Sequence, residues 1–182
     1  MTGFLTERLS GMPVVQIAWV VRDLKQSMSQ WLNLGVGPFF TLDTQVPATY
    51  RGEPSSLSMV IGLAQAGPVQ IELIQQTSDQ PSAYTDAEPS GAAGFHHICR
   101  AYGDYDEAVA KLQAEGSVLV TEGQWGEGGP RFCYLDARDT VGCFIEICDD
   151  SEVGQKMYKI VREAAEGWDG TDPIRSLEPL LF

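Results

Sequence analysis

VVQIAWVVRDLKQSMSQWLNLGVG (residues 14–37) and FHHICRAYGDYDEAVAKLQAEGSV (residues 95–118) decide the fold when laid side by side. With Gln16 set on His97, Asp23 falls on Asp104 and Gly35 falls on Gly116. Matched offsets across two segments mark an internal duplication. Each copy opens with a β-rich run. Each then meets an aspartate, whose short carboxylate suits a helix N-cap because it accepts from the free amides of the first turn. Leu24, Met28, Trp31 and Leu32 keep helical spacing, as do Tyr105, Ala108, Val109 and Leu112. Gly35 and Gly116 suit the left-handed residue that ends a helix.

Working outward, FFTLDT, SLSMVIGLAQ and VQIELIQ follow the first helix, and VLVTEG, RFCYLD and CFIEIC follow the second. All six have strand character, and RGEPSS, QAGP, GEGGP and ARDTVG punctuate them as loops. The reading is α+β: two tandem βαβββ modules forming one curved, eight-stranded mixed sheet around a concave metal-binding cleft, with the helices on the convex face. The boundaries are an N-terminal arm 1–13, a first module 14–76, a Pro/Gly/Ser-rich linker 77–94, a second module 95–149, and a C-terminal helix and tail 150–182. GQKMYKIVREAAEGWDG reads as that helix and its stop, and DPIRSLEPLLF as an irregular tail.

The formal net charge is −13 and the pI about 4.4. Such a surface repels phosphate backbones and anionic lipid, which argues against nucleic acid and membranes as partners. No run approaches the roughly 18 apolar residues of a membrane span. MTGFLTERLS lacks the apolar stretch of a signal peptide. Cys99, Cys133, Cys143 and Cys148 show no CxxC spacing and read as reduced thiols of a cytoplasmic protein.

The anomaly lies in the last strand of each module. IELI holds Glu72 and IEIC holds Glu146. A carboxylate in a buried apolar strand costs several kcal/mol unless it is paired or bound to a cation. Strand alternation then assigns faces. Ile71, Leu73, Ile145 and Ile147 face the helices, so Glu72 and Glu146 face the cleft. Ile17, Trp19 and Val21 face the helices, so Gln16 faces the cleft. The chain's two histidines are adjacent, and alternation lets one of them into the cleft: His97, with Phe95 on the same side. His96 falls with Ile98 on the helix side. Gln16, Glu72, His97 and Glu146 thus share one concave surface at repeat-matched positions. Three oxygens and one imidazole nitrogen suit Zn²⁺, Ni²⁺, Co²⁺ or Mn²⁺, with two positions left for water or substrate. Singly, each residue has a plainer reading: Gln16 bonded to edge backbone, either glutamate paired with Arg100 or Arg131, His97 as a core histidine. Arg51 and Arg131 suit either a substrate anion or a solvated surface. Trp125 suits either a lid or a loop aromatic packed on its own domain. Phe95 and Phe144 make the cleft apolar beside its polar group.

QIAWVVRDL, the LG-GPFF turn, IELI, GFHHI and G-FIEI resemble the recurrent segments of the vicinal oxygen chelate superfamily over about residues 14–149. This superfamily holds glyoxalase I, methylmalonyl-CoA epimerase, extradiol dioxygenases and bleomycin-resistance proteins. The resemblance implies that Gln16, Glu72, His97 and Glu146 are the metal ligands. It implies an isomerase, epimerase or lyase that moves a proton next to a carbonyl through a metal-bound enolate or enediolate. Glu146 would be the base and Glu72 the second candidate. The substrate would be a small organic carbonyl or thioester, bound near Arg51, Phe95, Trp125, Arg131 and Phe144, and the assembly a homodimer. The Gln-Glu-His-Glu set looks like the glyoxalase I group, whereas GFHHIC and the linker length look more like the epimerases. A non-catalytic binding protein of the same fold is the alternative. An iron-dependent dioxygenase fits less well, because Gln16 stands where a two-His, one-carboxylate site needs histidine.

Overall fold

The computed structural model describes residues 13–87, 93–126 and 128–178. Most of the predicted N-terminal arm (to residue 12), the middle of the linker (88–92) and the end of the tail (179–182) lie outside the described residues. The first module runs β1 (Gln16–Val20), α1 (Leu24–Asn33), β2 (Phe39–Tyr50), β3 (Glu53–Ala66) and β4 (Val69–Gln76). A short helix α2 (Ala83–Ala87) follows. The second module repeats the order as β5 (Gly94–Tyr102), α3 (Tyr105–Ala114), β6 (Val118–Gln124), β7 (Arg131–Ala137) and β8 (Cys143–Asp149). Helix α4 (Glu152–Ala165) and strand β9 (Ile174–Ser176) complete the described chain. The caps are where the repeat put them. The Asp23 carboxylate accepts from the Gln26 amide and that of Asp104 from the Glu107 amide. Gly35 and Gly116 take φ of +81° and +93° at the helix ends.

Within each module the first and last strands are parallel, β1 with β4 and β5 with β8. The modules join where β1 and β5 run antiparallel. They meet a second time where Ala48–Tyr50 of β2 pair with Thr121–Gly123 of β6. The eight strands therefore close into a ring, and β9 adds parallel to Phe39–Thr41 of β2. The length of the β2–β3 hairpin makes the second seam possible. Sequence reading ends β2 at residue 44 and takes RGEPSS as a loop. Instead Tyr50 pairs with Glu53 across a two-residue turn, with Arg51 and Gly52 at φ +50° and +86°. Two positive φ values give the tight turn whose twist matches that of paired strands.

Two cores lie outside the ring. Leu24 and Met28 of α1 pack on Ile71 and Leu73, and Tyr105, Val109 and Leu112 of α3 pack on Cys133, Leu135 and Ile147. A third fills the inside, with Ala18, Leu63, Ile74, Phe132 and Phe144 among its members. Each such buried apolar side chain is worth roughly 1.5–3 kcal/mol. Both ends of the ring carry helices. At one end α2 sends Tyr84 inward against Met59 and His96. At the other, α4 lies beside Val15 and Ala101 and inserts the fully buried Val161, flanked by Met157, Ile160 and Ala164. The tail is more ordered than DPIRSLEPLLF suggests. Beyond β9, Leu177 is fully buried in the inner cluster, because strand pairing fixes the backbone that delivers it. No helix among the described residues is long and apolar enough to cross a membrane.

Candidate functional site

The site begins with an irregularity in β5. Ala18 pairs with His97 and Trp19 pairs with Phe95, which leaves His96 without an opposite residue. One extra residue in a strand breaks its alternation. Both imidazoles are therefore fully buried inside the ring. The His96 ring stands 5.0 Å from each of Tyr84, Tyr134 and Phe144. Phe95 turns outward, 42% exposed, with its ring 5.4 Å from that of Trp19. The bulge thus corrects two expectations at once: His96 does not face the helices, and Phe95 does not line the cleft.

The adjacent histidines form a directed pair. His96 Nε2 lies 3.2 Å from the carbonyl oxygen of Ala83, which can only accept, so Nε2 carries a proton. Burial, with the nearby charge of His97, pushes the His96 pKa well down, so the ring is neutral. Its Nδ1 is then a lone pair 2.8 Å from His97 Nδ1, which donates to it. His97 is left presenting Nε2 to the carboxylates, 3.1 Å from Glu146 Oε2 and 3.4 Å from Glu72 Oε2. Burial lowers the His97 pKa, but the two carboxylates outweigh it and the net shift is upward. Burial raises the Glu72 pKa to about 7 against the attraction of His97, and the charge of Glu146 adds to the rise.

The fourth member approaches from β1. Gln16 donates its Nε2 to Gln70 Oε1 at 2.9 Å, which orients the amide and leaves its own Oε1 for the cavity it lines. Gln16, Glu72 and Glu146 are 4%, 6% and 7% exposed, so none is a surface polar group. His97 Nε2 and Glu146 Oε2 are buried and lack hydrogen-bond partners, despite their closeness. An imidazole nitrogen and a carboxylate oxygen held 3.1 Å apart with no hydrogen bond to satisfy either are donors of the kind a divalent cation takes, so the donor set fits a metal. Among the described residues no group of three or more His, Cys, Asp and Glu side chains stands as a finished metal cluster. The carboxylates close on the imidazole itself rather than around a common centre.

A cavity of about 40 Å³ lies against Gln16, Glu72 and Glu146, walled by Trp125, Met157 and Tyr158. It has room for an ion and a water or two. Trp125, expected as a lid or a loop aromatic, borders this cavity and packs on Phe132. Phe144 lies deeper, fully buried beside His96 and beneath the Arg138 guanidinium. The two expected anion-binding arginines are engaged elsewhere. Arg51, at the hairpin tip, pairs with Asp86 at 2.7 Å. Arg131 pairs with Asp106 at 2.7 Å and covers the Tyr105 ring, because Phe132 takes the inward position on β7. Sequence reasoning also missed four polar residues. Gln70 sits two before Glu72 on the same face, and Tyr134 is the cross-strand partner of Glu146; both were legible from alternation and pairing. Tyr84, whose hydroxyl is 3.2 Å from that of Tyr134, and Tyr158, whose hydroxyl is 3.9 Å from Cys99 Sγ, lie outside the repeat and carried no signal. Burial first of all raises the pKa of all three phenols.

A family model for the Glyoxalase/Bleomycin resistance protein/Dioxygenase superfamily matches residues 15–134. No curated protein matches the chain. Among solved structures, a hypothetical protein from Bacillus halodurans C-125 aligns with a TM-score of 0.57 and 17% identity, over 79% of this chain and 97% of its own. A methylmalonyl-CoA epimerase in complex with methylmalonyl-CoA and NH4+ aligns with a TM-score of 0.55 and 19% identity, over 78% of this chain and 96% of its own. A variant Streptomyces coelicolor methylmalonyl-CoA epimerase in complex with 2-nitronate-propionyl-CoA gives 0.55 and 20%, with the same coverages of 78% and 96%. At these identities the likeness is one of fold.

Proposed function

The chain belongs to the glyoxalase/bleomycin resistance/dioxygenase superfamily, and from that premise we propose that it is a metal-dependent isomerase-type enzyme. It would move a proton on the carbon next to a carbonyl or thioester. Gln16 through Oε1, Glu72, His97 through Nε2 and Glu146 would hold a divalent ion such as Zn²⁺, Ni²⁺, Co²⁺ or Mn²⁺. When bound, such an ion draws electron density from a carbonyl oxygen and makes the neighbouring C–H more acidic. The rest falls to the chain's own groups. Glu146, whose Oε2 has no hydrogen bond and which lines the cavity, takes the proton from carbon and returns it. Glu72, which lines the same cavity from the last strand of the first module, is the second candidate. Ala83 and His96 hold His97 in one tautomer. Trp125, Met157 and Tyr158 keep bulk water from the reacting atoms.

The observation that carries this reading is the buried pair of His97 Nε2 and Glu146 Oε2, 3.1 Å apart and without a hydrogen bond to either atom. The test is metal analysis of tag-free protein, wild type beside His97→Ala and Glu146→Gln. Near-stoichiometric divalent metal that falls in both variants supports the site. Absence of metal even after reconstitution removes it and turns the same fold into a binding module.

A further inference from the structure

We propose that Cys99 and Cys148 are a redox-active pair in the wall of the site, which a small hydroperoxide converts to a disulfide. Neither the metal nor the reaction proposed above is needed for it. Cys99 lies on β5 and Cys148 on β8, which are neighbouring parallel strands. Cys99 pairs with Glu146, and Ala101 with Cys148, so the two thiols stand diagonally across one ladder. Both belong to the inner cluster and therefore face the same side of the sheet. Their sulfurs are 3.4 Å apart, and both are free thiols. A disulfide measures about 2.05 Å, so closing the gap by roughly 1.4 Å forms the bond. Two further contacts of these sulfurs are longer. The Arg100 carbonyl lies 3.8 Å from Cys148 Sγ, and the Tyr158 hydroxyl 3.9 Å from Cys99 Sγ. The crosslink would join strands that the sheet already holds together.

The remaining cysteines stand on the other face. Cys133 packs in the outer core with Tyr105 and Leu135. Cys143 shares its parity on β8 with Ile145 and Ile147, which belong to that outer core. Cys148 borders the cavity beside Glu146 and is 8% exposed, whereas Cys99 is fully buried. A cavity of about 40 Å³ admits a molecule the size of a water or two, and hydrogen peroxide is of that size. The oxidant therefore meets Cys148 first. Cys148 Sγ attacks one peroxide oxygen, an S–O bond forms and the O–O bond breaks. The oxygen that leaves takes the thiol proton, as water or an alcohol. Cys99 Sγ then attacks the sulfenic sulfur. The S–S bond forms, the S–O bond breaks, and water leaves with the Cys99 proton. In sum the two thiols give two electrons and two protons to one peroxide. Each cysteine lies two residues from a candidate ligand on its own strand, His97 or Glu146. The bond is thus made within the site's own wall.

The test exposes the full chain, stripped of metal by a chelator, to hydrogen peroxide. The reaction is quenched with catalase, and thiols are counted after unfolding. The count is expected to fall from four to two. Peptide mapping should find Cys99 linked to Cys148, with the intact mass lower by about two hydrogens. Dithiothreitol should return the count to four. Cys99→Ser should leave Cys148 as a sulfenic acid that dimedone traps. Cys148→Ser should slow thiol loss at least about tenfold, since the more accessible sulfur is gone. Survival of all four thiols at a dose that oxidises the urea-unfolded chain overturns the proposal. A disulfide that maps to Cys133 or Cys143, or that joins two chains, also overturns it. Sulfinic acid formed without any crosslink does the same. Mapping of the wild type decides alone, should a serine variant not fold.

Discussion

Replacing Glu72 by glutamine should make the metal-free protein more stable at alkaline pH. The carboxyl is 6% exposed, and burial raises its pKa from 4.5 to about 7 even with His97 beside it. A raised folded-state pKa means that the fold holds the proton more tightly than the unfolded chain does. The stability linked to that proton is complete below about 4.5. It is lost as pH rises through the window from there to about 7. The shift corresponds to about 3 kcal/mol at roughly 1.4 kcal/mol per pH unit. Glutamine has nearly the same shape and never ionises. At pH 8 the variant should therefore exceed wild type by up to about 3 kcal/mol, or roughly 6–12 °C in Tm for a chain of this size. At pH 4.5 the two should coincide. The assay is urea and thermal unfolding of chelator-treated protein at both pH values. A Glu72→Gln variant less stable than wild type at pH 8, or a difference that ignores pH, would refute the reasoning. Manganese or zinc at about a hundred times its Kd should return close to 3 kcal/mol to wild type and far less to the variant.

Three other outcomes follow from the same geometry. His96→Gln disturbs the group that fixes the His97 tautomer, so metal affinity should fall about ten- to a hundredfold in a chelator competition while circular dichroism is unchanged. Glu146→Gln should slow deuterium exchange at the substrate carbon by about two to four orders of magnitude once a substrate is found; unchanged exchange would assign the base to Glu72. Leu177→Ala should cost about 2–4 kcal/mol in denaturant unfolding, because the residue fills the inner cluster, and a cost near zero would mean that the tail is not part of the core.

Much of the arrangement was legible. Helix caps at Asp23 and Asp104 depend only on local bonds, so their signature survives in any context. The cleft positions of Gln16, Glu72 and Glu146 follow from alternation along short regular strands, where a shift of one residue would bury the wrong face. The reading failed where a single residue broke the period. Nothing in FHHIC marks His96 as unpaired, and every inference upstream of it inverted, which carried Phe95 to the wrong side. The arginines failed for another reason. Arg51 and Arg131 answer to Asp86 and Asp106, partners 35 and 25 residues away, and such pairings are set by the fold rather than by local pattern. The second seam, Ala48–Tyr50 with Thr121–Gly123, was hidden in a hairpin whose turn residues, Arg-Gly, are not the usual pair for that geometry.

Because the sheet returns on itself, its inner space has no side door. A hoop of eight hydrogen-bonded strands cannot part along its wall without breaking a whole ladder, so traffic must be axial. One axial end is stoppered by Tyr84 and the other by the apolar edge of α4. The first helix is short and bonded into the chain through Ala83 and His96, whereas the second is longer and is tied to the ring at both flanks, by β8 before it and by β9 and Leu177 after it. Anything that enters or leaves the inner space must therefore pass one of these two helices.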